Sequence, residues 1–248
     1  AFSLALFLAG MIITFMDYSA FSSYAAIFQG AFGSSYGIMD TLSISTTLIL
    51  SGLAFAIAMK GGMLNIGGEG QMYVGAFTSA VLGAYLGPLP KVIHIVIILV
   101  AGMTVGGLWG AFAGFLKARF NANEVITLIM LTSIAQLLTS YLVNNPLKFG
   151  SAGQSKPIFD SAKLPKLFPQ YQLSIAIIIA ILYVLIIVFI FKKTPFGFEI
   201  QAVGKNKKAA ENAGINSNRI MVLTMFISGA TAGLAGACIV LGINNRFY

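Results

Sequence analysis

Long apolar runs interrupted by charge only at their ends decide what this chain can become. At about 2–15, 41–59, 71–86, 92–116, 125–143, 173–191 and 220–241 the sequence contains no Asp, Glu, Lys or Arg. A helix needs roughly 20 apolar residues to cross a bilayer, and most of these runs supply them. Only 9% of the 248 residues are charged, against about 25% in a soluble domain. So few charges cannot cover a globular surface. Strand-type alternation is absent, which excludes a membrane barrel. The expectation is an all-α, polytopic transmembrane helix bundle of seven spans, forming one domain over residues 1–248. The runs at 2–15 and 71–86 are short and need flanking residues to span.

Several function classes fall away at once. Cys238 is the single cysteine and lies in an apolar run, so no intrachain disulfide forms. With one His, His94, there is no metal cluster, and His94 and Trp109 read as packing or interface residues. The opening AFSLALFLAGMIITF lacks a basic region and a cleavage site, so it reads as a span and not a signal peptide. The net charge of +8 comes from basic residues scattered between spans, which is topology and not nucleic-acid binding. There is no GxxxxGK[ST], HExxH or GxSxG. The chain is therefore not an enzyme and carries no cofactor of its own; any energy must come from a partner or an ion gradient.

The basic residues set an orientation. Lys60, Lys117, Arg119, Lys192, Lys193, Lys205, Lys207, Lys208 and Arg219 fall on one side of the alternation. Lys91, Lys148, Lys156, Lys163, Lys166 and Arg246 fall on the other, four of them in one loop, 144–172. Residues nearest the span ends favour the first group, and with it the N-terminus, as cytoplasmic. The Pro-, Ser- and Lys-containing loop 144–172 then reads as an extracellular surface segment. The inner loop 192–219 carries a helix pattern: Asn206 as N-cap, KKAAENA behind it, and Gly214 where a left-handed C-terminal cap belongs. Asn216 or Ser217 caps the next span.

The stretch GGMLNIGGEGQ, 61–71, sets three polar side chains and five glycines between two apolar runs. Lipid tolerates such a sequence only where it lines a cavity or is buried in protein, so a broken or re-entrant segment is expected here. Asn65, Glu69 and Gln71 are candidates for a substrate pathway or gate. Glu69 can equally be a first-turn carboxylate stabilised by ~0.3–1 kcal/mol through the helix dipole. Asn123 with Glu124 reads as an N-cap and first-turn acid. Ser43, Thr47 and Ser51, four apart, offer a wet stripe, or merely bond their own helix; Gln136 and Thr139 are similar candidates. Gly102, Gly106, Gly110 and Gly114, with Gly75, Ser79, Gly83 and Gly87 and with Gly229 and Gly233, form small-residue ridges that let helix backbones approach closely.

Four segments carry a resemblance. LNIGGEGQ (64–71) resembles the NIGxEGQ signature of ABC importer permeases of the ribose and branched-chain amino acid class, most like the nucleoside-type branch. TPFGFEIQAVGKNKKAAENAGI (194–215) is similar to that family's cytoplasmic loop, and GLWGAFAGFLKARF (107–120) with NEVI (123–126), and ISGATAGLAGA (227–237), fit too. The resemblance implies a permease that translocates nucleosides across the cytoplasmic membrane. Its implied partners are a second identical or homologous permease, two ATPase subunits holding ATP and Mg, and a substrate-delivering extracellular lipoprotein. It implies that a short helix in 205–214, with Lys205, Asn206, Ala209, Ala210, Glu211 and Gly214, is the coupling helix that docks on the ATPase. It also implies further spans beyond Tyr248. A simple-sugar permease is the nearest alternative. A gradient-driven carrier or channel, or a scaffold, are the others; the first leaves the capped inner loop without a role, the second the polar cluster.

Overall fold

The computed structural model describes residues 2–87, 89–150 and 153–248. Ten α-helices account for nearly all regular structure, and no strand occurs among the described residues. They are α1 (Phe2–Phe15), α2 (Ala20–Phe32), α3 (Ser35–Lys60), α4 (Gly68–Tyr85), α5 (Lys91–Phe120), α6 (Glu124–Asn144), α7 (Ala176–Lys193), α8 (Pro195–Lys205), α9 (Lys207–Asn212) and α10 (Ser217–Ile239), the last running on as a π-helical turn, Val240–Asn244. α3, α5, α6, α7 and α10 with its extension are each long and apolar enough to cross a membrane.

α10 is the axis of the bundle. It packs most extensively on α5, then on α4 and α3. Its small residues make that possible. A methyl group added at Gly106 would meet Gly229 O and Gly233 Cα, both at 2.7 Å, and one at Gly75 would meet Gly233 Cα at 2.6 Å. Backbones therefore touch where the sequence placed its glycine ridges, and the gain is dispersion contact that larger side chains would prevent. Gly83 and Gly87 are exceptions: Gly83 faces the Ile158 side chain, and Gly87 sits beyond α4 with φ +88° and nothing within 4 Å of an added methyl.

Two expectations about the N-terminal region change. The run 2–15 is one helix, but 14 residues rise only about 21 Å, short of the ~30 Å hydrocarbon core. It pairs instead with α2, a helix not foreseen from the sequence, across a bend of 116°. Ser19 caps α2 by accepting the Ser22 amide proton, and that local bond starts a helix in a stretch that the span pattern leaves unassigned.

The 144–172 loop also departs from a solvated surface segment. Ile158, Ala162 and Leu164 are buried, and Asp160–Ala162 forms a 3₁₀ turn. The Phe159 amide donates to Gly83 O (2.8 Å) and the Ile158 amide to Asn245 O (3.0 Å). His94, fully buried, holds Ser161 Oγ at 2.9 Å and packs beside Phe159. A hydrogen bond from the Lys163 ammonium, 2.7 Å away, holds the exposed Asp160 carboxyl below its usual range.

Candidate functional site

The segment 61–67 is non-helical and re-enters the bundle. α3 ends at Lys60, and Gly61 lies against Thr224 of α10. Gly62 takes φ +74°, a left-handed backbone available to glycine without steric penalty, and turns the chain back. Asn65 then reaches Ser228, one α10 turn further in. The expected break is thus present, and α4 starts inside the bundle instead of at its end.

Two of the candidate residues meet there. Asn65 Nδ2 donates to Gln71 Oε1 (2.7 Å) and to Ser228 Oγ (2.7 Å), and Gln71 Nε2 returns a bond to Asn65 Oδ1 (3.0 Å). Ser228 Oγ in turn donates to Ala54 O (2.6 Å) on α3. Asn65 and Gln71 are buried, and the clasp joins α3, the re-entrant segment, α4 and α10. Ser228 was missed from the sequence, because its partner stands 163 residues away and no local pattern marks it.

Glu69 points the other way. It is exposed, and its Oε1 accepts a hydrogen bond from Gln136 Nε2 on α6 (3.0 Å). Gln136 is 12 residues into α6, or about 18 Å from the helix start at 1.5 Å per residue. That places the pair near the middle of a 21-residue spanning helix. Ser133, Ser140 and Asn144 lie close to Gln136 by helical register, all exposed, and make a polar stripe between apolar neighbours. Below the pair, Gly70 rests on Thr132 and Gly67 on Leu128, so only glycine lets α4 lie this close to α6.

The hydroxyls of α3 are elsewhere. Ser43 is buried and donates to Gln172 O at 3.5 Å. Ser43 and Thr47 line a small niche with Ser174 and Cys238, and Ser51 is half-buried one turn on. They share no surface with Glu69, since α3 and α4 scarcely touch.

The hairpin after α7 comprises two helices, where one was expected. The missed α8 had a readable signal: Thr194 accepts the Gly197 amide proton with Pro195 in the first turn. α9 has the predicted cap, Asn206 accepting from the Ala209 amide at 3.1 Å, and Gly214 adopts φ +84° behind it. Lys205 ends α8, Ala210 is buried, and Ala209 and Glu211 are exposed. Asn216 caps α10, and Asn123 caps α6, whose Glu124 pairs with Lys117 at 2.9 Å. Gly204 of α8 packs on Lys60 and Gly62, which joins the hairpin directly to the re-entrant segment.

Residues 37–247 match the family described as branched-chain amino acid transport system, permease component. The guanosine ABC transporter permease protein NupP of Bacillus subtilis is 40% identical over 98% of this chain and 70% of its own. The nucleoside ABC transporter permease protein NupB of Lactococcus lactis is 36% identical over 97% of this chain and 69% of its own. The glucose ABC transporter permease protein TsgB13 of Haloferax volcanii is 30% identical over 98% and 67%. No solved structure matches. A multi-pass bundle with a re-entrant NIGGEGQ segment, matched along almost its whole length, belongs to the branched-chain amino acid transport system permease family.

Proposed function

We propose that this chain is the membrane-spanning subunit of an ABC importer and that its cargo is a nucleoside. The observation that carries the pathway is the Glu69–Gln136 pair, exposed on the side of the bundle near mid-span. A carboxylate facing hydrocarbon at that depth costs about 2.5–3.5 kcal/mol or more. Water or protein therefore covers this face, and the route runs along it. Asn65 and Gln71 act as the hinge pin of the inner gate; Ser43, Thr47 and Ser51 lie off the route. The nucleoside assignment leans on the guanosine and nucleoside permeases. Simple sugar is the rival cargo, favoured by two less similar relatives named as glucose permeases.

The α8–α9 hairpin is the coupling element. It stands at the end where α3, α5 and α7 finish in Lys60, Lys117 with Arg119, and Lys192 with Lys193, the cytoplasmic side under the positive-inside rule. ATP and Mg bind on the partner ATPase, and a lipoprotein delivers cargo on the opposite face. Uptake into vesicles holding the assembled complex tests the reading. Internal ATP should drive accumulation of guanosine or adenosine; uptake that follows only an imposed ion gradient would overturn it. Replacing 209–213 with bulky charged residues should release the ATPase on purification, and retained ATPase would remove the hairpin from that role.

A further inference from the structure

The reading above leaves open where the cargo's ring sits. One turn along α4 from Glu69, Tyr73 faces a cavity of about 230 Å³. Met72 and Ala76 line it from α4, and Asn244, Arg246, Phe247 and Tyr248 from the segment after α10. We infer that this cavity is a nucleobase subsite of the permease, an inference that rests on the nucleoside reading and deepens it.

Three features fit a planar heterocycle. The first is the aromatic wall. Tyr73 and Phe247 meet with ring centroids 6.1 Å apart at 70°, and Phe77 braces Phe247 from behind at 5.6 Å and 87°. Phe247 is 6% exposed and held by its amide, which donates to Ser155 Oγ at 2.9 Å, so the wall is fixed before a ligand arrives. A base stacking there exchanges water for a π-face. The second is the apolar remainder: Met72, Ala76 and the neighbouring Ile239 and Val240 carry no side-chain donor or acceptor. A furanose or pyranose ring, hydroxylated all round, would leave its hydroxyls unpaired there. The third is a polar rim. Arg246 is anchored by donating from Nη1 to Gln154 Oε1 (2.9 Å) and keeps further N–H groups for a ligand, and Asn244 is exposed beside it. A guanidinium and an amide are the groups that read the ring-edge oxygens and nitrogens of bases.

Size and spacing agree. The cavity is smaller than the ~300–1,000 Å³ of pockets that enclose a whole drug-sized ligand. It takes a base and leaves the ribose outside. Glu69 and Tyr73 are four residues apart on α4, about 6 Å along the axis. A base against Tyr73 sets its ribose beside the Glu69 carboxylate and the Gln136 amide, which can pair with sugar hydroxyls.

Apparent uptake affinity reflects the delivering lipoprotein, so the test is direct binding. Tritiated guanosine is equilibrated with the permease–ATPase complex in nanodiscs without lipoprotein, with guanine or ribose as competitor. Guanine should displace the label at far lower concentration than ribose. Tyr73→Ala and Asn244→Ala should each weaken binding about tenfold, as expected for one lost stacking or edge contact, while Tyr73→Phe should keep it. Asn244 lies on the exposed rim, so its variant does not disturb packing. Leu185→Ala, on the exposed face of α7, is the control and should bind normally. Unchanged binding in both Tyr73→Ala and Asn244→Ala would overturn the subsite. So would displacement by ribose in preference to guanine, or no binding by a complex that imports guanosine. A wild-type complex that fails to import any nucleoside with ATP defeats the functional reading itself.

Discussion

Gly204 of α8 and Gly62 of the re-entrant segment are in backbone contact. A methyl group on Gly62 would meet Gly204 Cα at 2.9 Å, and one on Gly204 would meet the Gly62 amide nitrogen at 2.8 Å. Nothing compressible lies between them. A displacement of the α8–α9 hairpin must therefore move residue 62, and through 63–67 the clasp and the start of α4. Gly204→Ala should push the two apart and lower the thermal stability of the solubilised protein by about 1–3 kcal/mol. ATP turnover by the bound ATPase should continue while transport falls, because docking is kept and transmission is lost. Transport and turnover falling in step would place the transmission elsewhere.

The Asn65 clasp predicts non-additive energetics. Asn65→Ala leaves both the Gln71 amide and the Ser228 hydroxyl short of a partner inside the bundle, at about 1–3 kcal/mol. Ser228→Ala should cost less, since it removes the bonds to Asn65 and Ala54 O but keeps the paired Asn65 and Gln71 amides. In a double-mutant cycle Asn65→Ala with Gln71→Ala should show coupling of about 0.5–3 kcal/mol. Strict additivity in thermal melts would mean the two side chains act separately.

At Gly106 any side chain strikes the α10 backbone. Gly106→Ala should destabilise measurably, and Gly106→Leu should abolish the folded bundle, read as loss of protease resistance and of membrane expression. Gly52, where an added methyl meets nothing within 4 Å, is the internal control: Gly52→Ala should be neutral or slightly stabilising.

Glu69→Gln retains an oxygen that can accept from Gln136 but removes the charge. It should fold like the wild type, because Glu69 is exposed and supports no core contact. Import should drop severalfold with ATPase docking intact. A wild-type import rate would reduce Glu69 to a first-turn charge at a helix start.

Sequence reasoning reached the fold through signals that are local. Asn123 and Asn206 cap the helices they were assigned, and Asn216, one of two candidates with Ser217, caps α10, because a side chain bonding an amide two or three residues on needs no distant partner. The same logic was available for Thr194–Pro195 and α8. The glycine ridges were legible because only close helix contact explains such spacing. Which way a polar residue faces was not legible. Asn65, Glu69 and Gln71 lie within seven positions, yet two are buried and one is exposed. Helix phase in the bundle decides that, through Ser228 on α10 and Gln136 on α6. Ser43, Thr47 and Ser51 have the right spacing for a wet stripe, but α7 and α10 close over that side of α3.

The connection between α6 and α7 finds its backbone partners late in the chain: Ser155 with Phe247, Ile158 with Asn245 and Leu164 with Leu241. During synthesis those partners emerge about 77–92 residues after the loop, as the sequence separations dictate. Insertion and maturation must therefore be separate events. The 155–164 segment stays unsettled while α7 to α10 are made, and the residues after α10 lock it on arrival. A translation pause before residue 240 would hold the nascent subunit in a protease-sensitive intermediate.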